Sequence, residues 1–150
     1  MKTVFLYSIC LLFSIKSFGL DLEYIRNHYE QAVSDKKLCK NMIAALEEKA
    51  PTAVHLLYLG GLQTIWANHV SNPFSKLNTF KKGKASIEQA VKADSDNAEI
   101  RLIRLSVQKN CPAFLNYNKN INEDEQFLIK HKDEINSLPL IKLLNTVLKK

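Results

Sequence analysis

Histidine, cysteine and arginine are the residues through which this chain could do chemistry, and their spacing limits what that chemistry can be. His28, His55, His69 and His131 could hold a metal or carry a proton. Zinc held on one helical face needs two histidines a turn apart, and none of the four forms a His-x-x-x-His or His-Glu-x-x-His pair. His55 and His69 fall on a similar side of one expected helix, but about 21 Å apart along its axis. No metal site is expected. Cys39 and Cys111 could act as nucleophiles only beside a positioned base, and the pattern supplies none. Glu123-Asp124-Glu125 reads as an acidic helix start that complements the dipole, without the spacing of a calcium loop. The 4 glycines form no phosphate-cradling loop.

Two sets of residues suit binding better than catalysis. Arg101, Arg104 and Gln108 recur at i, i+3 and i+7, so they share one helix face and could grip a carboxylate or phosphate. Pairing of the two arginines with Glu88, Asp94 or Glu99 at a helix end competes with that role. Tyr58, Trp66, Phe74 and Phe80 could line an apolar pocket between the third and fourth helices, or simply fill the core. The candidate binding residues are therefore Arg101, Arg104, Gln108, Tyr58, Trp66 and Phe74. No catalytic residue and no cofactor is expected.

The elements that must position these residues are all helical. Leu22, Ile25, Tyr29 and Val33 give helical spacing over 21–34, with Asp21 as the expected cap, and Ser34-Asp35-Lys36-Lys37 breaks the pattern. Leu38, Met42, Ala45 and Leu46 mark a second amphipathic helix, which completes a hairpin. Pro51 suits the first turn of a third helix over 53–70. That helix is apolar on nearly every side, so it must be buried, and Gly60-Gly61 would admit a close neighbour.

Asn72-Pro73 ends the third helix and starts a fourth, with Phe74, Leu77, Phe80, Gly83, Ile87 and Ala90 on one side and lysines mainly on the other. A turn at 94–97 leads to a fifth helix, where Asp96 with Glu99 resembles a capping box. Asn110-Cys111-Pro112 stops it. Phe114, Leu115 and Tyr117 are expected to anchor a loop over 113–122. Asn122 with Glu125 opens a sixth helix, and a last one runs from Ser137 with Pro139 at its start. Strand alternation and hairpin turns are missing. The sequence predicts an all-α fold of six to seven helices without a sheet.

The N-terminus reads differently from the rest. Lys2, the apolar run Val4–Ile15 and Ser17-Phe18-Gly19 follow the pattern of a secretory signal peptide, with cleavage expected after Gly19. The apolar run is too short for a spanning helix, which leaves an uncleaved anchor as the competing reading. Residues 20–150 then form a single domain, with no stable membrane span once the leader is gone. Loss of Lys2 and Lys16 would take the formal charge from +6 to +4. That mildly basic surface suits solubility or weak contact with anionic surfaces and does not argue for nucleic acid. Export permits a Cys39–Cys111 disulfide worth about 4 kcal/mol in the chain-entropy model. Nothing in the spacing brings the two together, and free thiols are the expected state.

Around residues 83–100 the chain resembles a tetratricopeptide-repeat boundary. Gly83, Ile87 and Ala90 stand where such repeats place a small residue, a large apolar one and an alanine, and Asp94-Ser95-Asp96-Asn97 stands at their turn, with Ser95 in place of the proline. Leu59-Gly60 is similar to the Leu-Gly pair of a first helix, although Gly60 and Ala90 lie roughly eleven residues further apart than one repeat allows. The excess falls around Asn72–Thr79. The likeness spans about one repeat and part of another, in what looks like a divergent tetratricopeptide-like bacterial secreted protein. It implies helical hairpins stacked side by side, protein or peptide binding on a concave face, and no catalytic residues. The expected function is a non-enzymatic module, periplasmic or secreted, that binds a protein or peptide. The alternative is a carrier of a small apolar ligand between the third and fourth helices.

Overall fold

A computed structural model describes residues 21–49 and 52–149. The leader expected through Gly19 and Pro51, expected to start the third helix, lie outside the described residues, and that helix begins at Ala53 behind Thr52. Within them the chain is all-helical, with seven α-helices packed on one another and no strand. No helix among the described residues is long and apolar enough to cross a membrane.

The first predicted helix divides. α1 spans Leu22–His28, and a short 3-10 turn follows at Gln31–Val33. Ile25, Tyr29 and Ala32 still face inward, but the tighter winding turns Val33 out to solvent. Asp21 does not cap with its side chain; only its carbonyl accepts, from the Ile25 amide at 3.2 Å. Asp35, read from sequence as part of a break, is the working cap: it accepts from the Leu38 amide at 2.9 Å and opens α2, Lys36–Glu47.

α3 spans Ala53–His69 with Thr52 as its cap, and α4 spans Pro73–Ala93 with Asn72 accepting from the Ser75 amide at 3.0 Å. These two form the most extensive helix–helix contact among the described residues. Gly60 faces Gly83 and Ile87 while Gly83 faces Thr64, so the register advances on one helix as it recedes on the other, and the pair is antiparallel. A Cβ at Gly60 would lie 2.6 Å from the Gly83 carbonyl oxygen, a distance no side chain tolerates. Gly61 faces not α4 but the Tyr29 ring. α3 also meets α2 and α5, so neighbours on several sides explain its lack of a polar face.

α5, Ala98–Asn110, is the innermost helix, buried at every position from 100 to 108. Its cap is Asn97 rather than Asp96: the Asn97 side chain accepts from the Glu99 and Ile100 amides at 3.1 and 3.2 Å. A 3-10 turn at Ala113–Leu115 ends on Asn116, whose φ of 49° is the left-handed conformation asparagine tolerates. Tyr117 anchors this loop as expected, but Phe114 stands in solvent. α6 runs Ile121–His131, one residue earlier than Asn122 suggests, and α7 runs Leu138–Lys149. α6 and α7 both pack on α5.

Candidate functional site

Burying α5 on all sides forces its polar residues to find partners inside the molecule. Arg101 and Arg104 sit one turn apart and face α6, where Asp124 lies on the inward stripe with Leu128. Asp124 is 0% exposed. Arg104 grips it bidentately, Nε to Oδ2 at 2.7 Å and Nη2 to Oδ1 at 2.6 Å, and Arg101 Nη1 adds a third bond at 2.9 Å. Arg101 also donates to Glu123 at 2.6 Å and to the Ser95 carbonyl at 2.7 Å, while its guanidinium lies 5.1 Å from the centre of the Phe127 ring. Glu88 of α4 joins at the other edge, accepting from Arg104 at 3.3 Å and from the Tyr117 hydroxyl at 2.6 Å.

The energetics follow from burial. Desolvation opposes the Arg104 charge, but the Asp124 hydrogen bonds and charge more than compensate, so its pKa is raised. Hydrogen bonding from Arg101 lowers the Glu123 pKa. Burial, reinforced by the bond to Glu88, raises Tyr117, which acts here as a phenolic donor. The cluster is a closed set of donors and acceptors rather than an open claw. A second one joins α1, α3 and α5: Glu99 accepts from Arg26 Nε and Nη2 at 2.7 and 2.8 Å and from the Tyr58 hydroxyl at 2.6 Å. Hydrogen bonding to Glu99 raises Arg26, and burial followed by the Glu99 charge raises Tyr58.

The structure therefore places the predicted binding residues apart. Arg101 and Arg104 do share a face with Gln108, but that face is interior, and both guanidinia are occupied by carboxylates. Of the expected partners Glu88 does contact Arg104, whereas Glu99 serves Arg26 and Tyr58, and Asp94 accepts from the Asn97 side chain. Tyr58 is buried edge-on against Tyr29, and Phe80 against Tyr117. Trp66 neighbours His69 and Lys36, and Phe74 is 81% exposed. The four aromatics do not converge. Between α3 and α4, where the alternative reading placed a pocket, Gly60 and Gly83 bring the two backbones into direct contact.

Each histidine is engaged locally. His69 Nε2 donates to the Ala32 carbonyl at 2.9 Å, and His28 Nδ1 to the Tyr24 carbonyl at 2.8 Å. His55 Nδ1 lies 2.7 Å from the Thr52 hydroxyl, and His131 Nδ1 lies 2.8 Å from Glu134. No group of three His, Cys, Asp or Glu side chains among the described residues could hold a metal. Cys39 and Cys111 are free thiols. Burial pushes Cys39 up to about 11 and also raises Cys111, so neither is activated.

Gln108 alone of the α5 polar face keeps an unfilled hydrogen-bonding capacity. It is 2% exposed, and both its Oε1 and Nε2 are buried without a partner. It borders an open cleft of about 360 Å³, formed where α5 ends, with Lys109, Cys111, Pro112, Tyr117, Asn118 and Ile121 as its other main walls. A second cleft of about 540 Å³ lies between the Arg26–Glu99 pair and the 134–140 segment and is lined largely by polar groups. Sequence periodicity picked out Gln108. It could not identify Asp124, because the partner lies 23 residues from Arg101 on another helix.

Fold and geometry thus define an all-α helical assembly in which Arg101 and Arg104 of α5 are turned inward onto Asp124. Comparison of the chain with protein-family models, with curated proteins and with solved structures finds no match.

Proposed function

We propose that the chain is an exported, non-enzymatic helical module of tetratricopeptide-like kind that binds a protein or peptide, and that the cleft at Gln108 is where it does so. The observation carrying this reading is the orphaned Gln108 amide on the wall of an open cleft. The two amide atoms are shielded from solvent, so the roughly 1–3 kcal/mol cost of an unmet buried amide is recovered when the side chain turns into the cleft and meets one acceptor and one donor of a partner. A peptide group offers both at matched spacing. Lys109 and Asn118 supply polar edges, and Tyr117 and Ile121 supply apolar wall. The side chains that would otherwise be suspected of catalysis are committed to Asp124 and Glu99.

The test is selection from a random peptide display library on the immobilised chain. The expected result is an enriched peptide set whose binding falls about tenfold in Gln108→Leu, which matches the size and removes the amide. Absence of enrichment, or enrichment indifferent to Gln108→Leu, would count against the reading.

A further inference from the structure

The α3–α4 hairpin carries a second surface of different character. From Ala53 to Ile87 the sequence contains Lys76, Lys81, Lys82 and Lys84 and not one Asp or Glu. At the tip of this hairpin, α4 stands clear of the body, and every residue from 71 to 78 is exposed. Phe74 is 81% exposed and Leu77 36%, the former among the largest apolar exposures on the molecule. Phe74, Leu77 and Lys81 follow at i, i+3 and i+7, so they share one exposed side of α4, about 120° round the helix from the buried Phe80, Gly83 and Ile87, while the exposed Lys76 stands at the tip on another side. Lys82 lies 3.3 Å from Glu47, and Lys84 lies over the Tyr117 ring at 4.8 Å. Lys76 and Lys81 have no carboxylate partner among the described residues.

We propose that this hairpin tip is a peripheral docking site for an anionic lipid surface, with Phe74 and Leu77 entering the headgroup layer and Lys76 and Lys81 meeting its phosphates. Charge selects the partner class: an acid-free basic element is drawn to a negative surface and is not repelled by any carboxylate of its own. Shape selects lipid over protein. A stable protein interface buries about 800 Å² on each partner in a complementary fit, whereas a convex helix end with two exposed apolar side chains offers far less. A fluid headgroup layer needs no matching groove and accepts an aromatic with flanking cations. This site is separate from the Gln108 cleft, so the two readings stand or fall independently.

The experiment compares the full chain with Phe74→Asp/Leu77→Asp in co-sedimentation with vesicles of phosphatidylcholine alone or mixed with phosphatidylglycerol. The parent is expected to prefer the anionic vesicles, with partitioning lowered about tenfold in the variant and comparably by high salt. Lys76→Glu/Lys81→Glu should lose binding likewise, and circular dichroism should show both variants folded. To separate the tip from the apolar leader, brominated anionic lipid should quench the emission that Phe74→Trp adds to the single native tryptophan. Equal partitioning of parent and variants, equal binding to neutral vesicles, or unquenched added emission overturns the proposal. Binding to polyglutamate but not to vesicles also overturns it, and assigns the tip to an acidic polypeptide.

Discussion

Asp124 accepts three hydrogen bonds from two guanidinium groups in a place water does not reach. Removing its charge leaves the buried Arg104 with only the 3.3 Å contact to Glu88 as a charge partner, and loss of one partner from a buried ion pair costs about 3–5 kcal/mol. Asp124→Asn is expected to destabilise the fold by that amount in urea titration. Replacing Glu123, which sits at the exposed rim of the same cluster, should change stability by less than about 1 kcal/mol.

The buried proton donors set a second expectation. Burial raises Cys39, Tyr29 and Tyr117 above their ordinary values of 9.0, 10.0 and 10.0. A group whose folded pKa is raised binds its proton more tightly when folded. Its stabilising contribution is complete below the unfolded pKa and drains away as pH climbs towards the folded one. Urea midpoints should therefore hold near neutrality and fall above about pH 9, the window in which the unfolded thiol and phenols begin to ionise. Glu123 acts in the opposite window. Its pKa is lowered by Arg101, so its contribution is present above the ordinary 4.5 and is lost as pH falls through the lowered value. The i, i+3, i+7 face of Arg101, Arg104 and Gln108 was legible because it is local. Its inward direction was not, because charge alone suggests solvent until the facing carboxylate is known.

The α3–α4 pair is where backbone meets backbone. A methyl at Gly60 or Gly83 would sit 2.6 Å from the opposite glycine's carbonyl oxygen, and neither helix backbone can move aside without displacing its whole contact. Gly60→Ala and Gly83→Ala are each expected to cost about 1–3 kcal/mol by overpacking, read as a lowered midpoint in thermal or urea unfolding. This outweighs the gain of up to about 1 kcal/mol that alanine brings to an exposed helix interior. The element types were readable from periodicity, and Pro73 with Asn72 marked the α4 start to the residue. The α5 cap was misplaced by one residue, the α2 cap was read only as part of a break, and Asp21 stands at the expected α1 cap position without a side-chain bond. Asp96 and Asn97 are both competent acceptors, and Asn97 is the one whose extended backbone stands at the start of α5. The break after His28 was equally hidden, since a 3-10 turn keeps Ala32 on the buried side and shifts only Val33.

At the scale of the whole molecule, α5 touches α3, α4, α6 and α7, and the two carboxylate clusters tie it to α1, α4 and α6 through side chains. A helix held so broadly cannot leave without dissolving the core around it. The molecule should therefore unfold as one unit, even though the repeat resemblance implies hairpins that each contact only their neighbours. Trp66 on α3 and the bulk helicity report on different parts of the structure. Urea unfolding of the parent and of Asp124→Asn, followed by tryptophan emission and by far-ultraviolet circular dichroism, tests the account most directly. The prediction is coincident transitions by both probes, displaced together by about 3–5 kcal/mol in the variant. Two separated transitions, or an Asp124→Asn midpoint equal to the parent's, would contradict it.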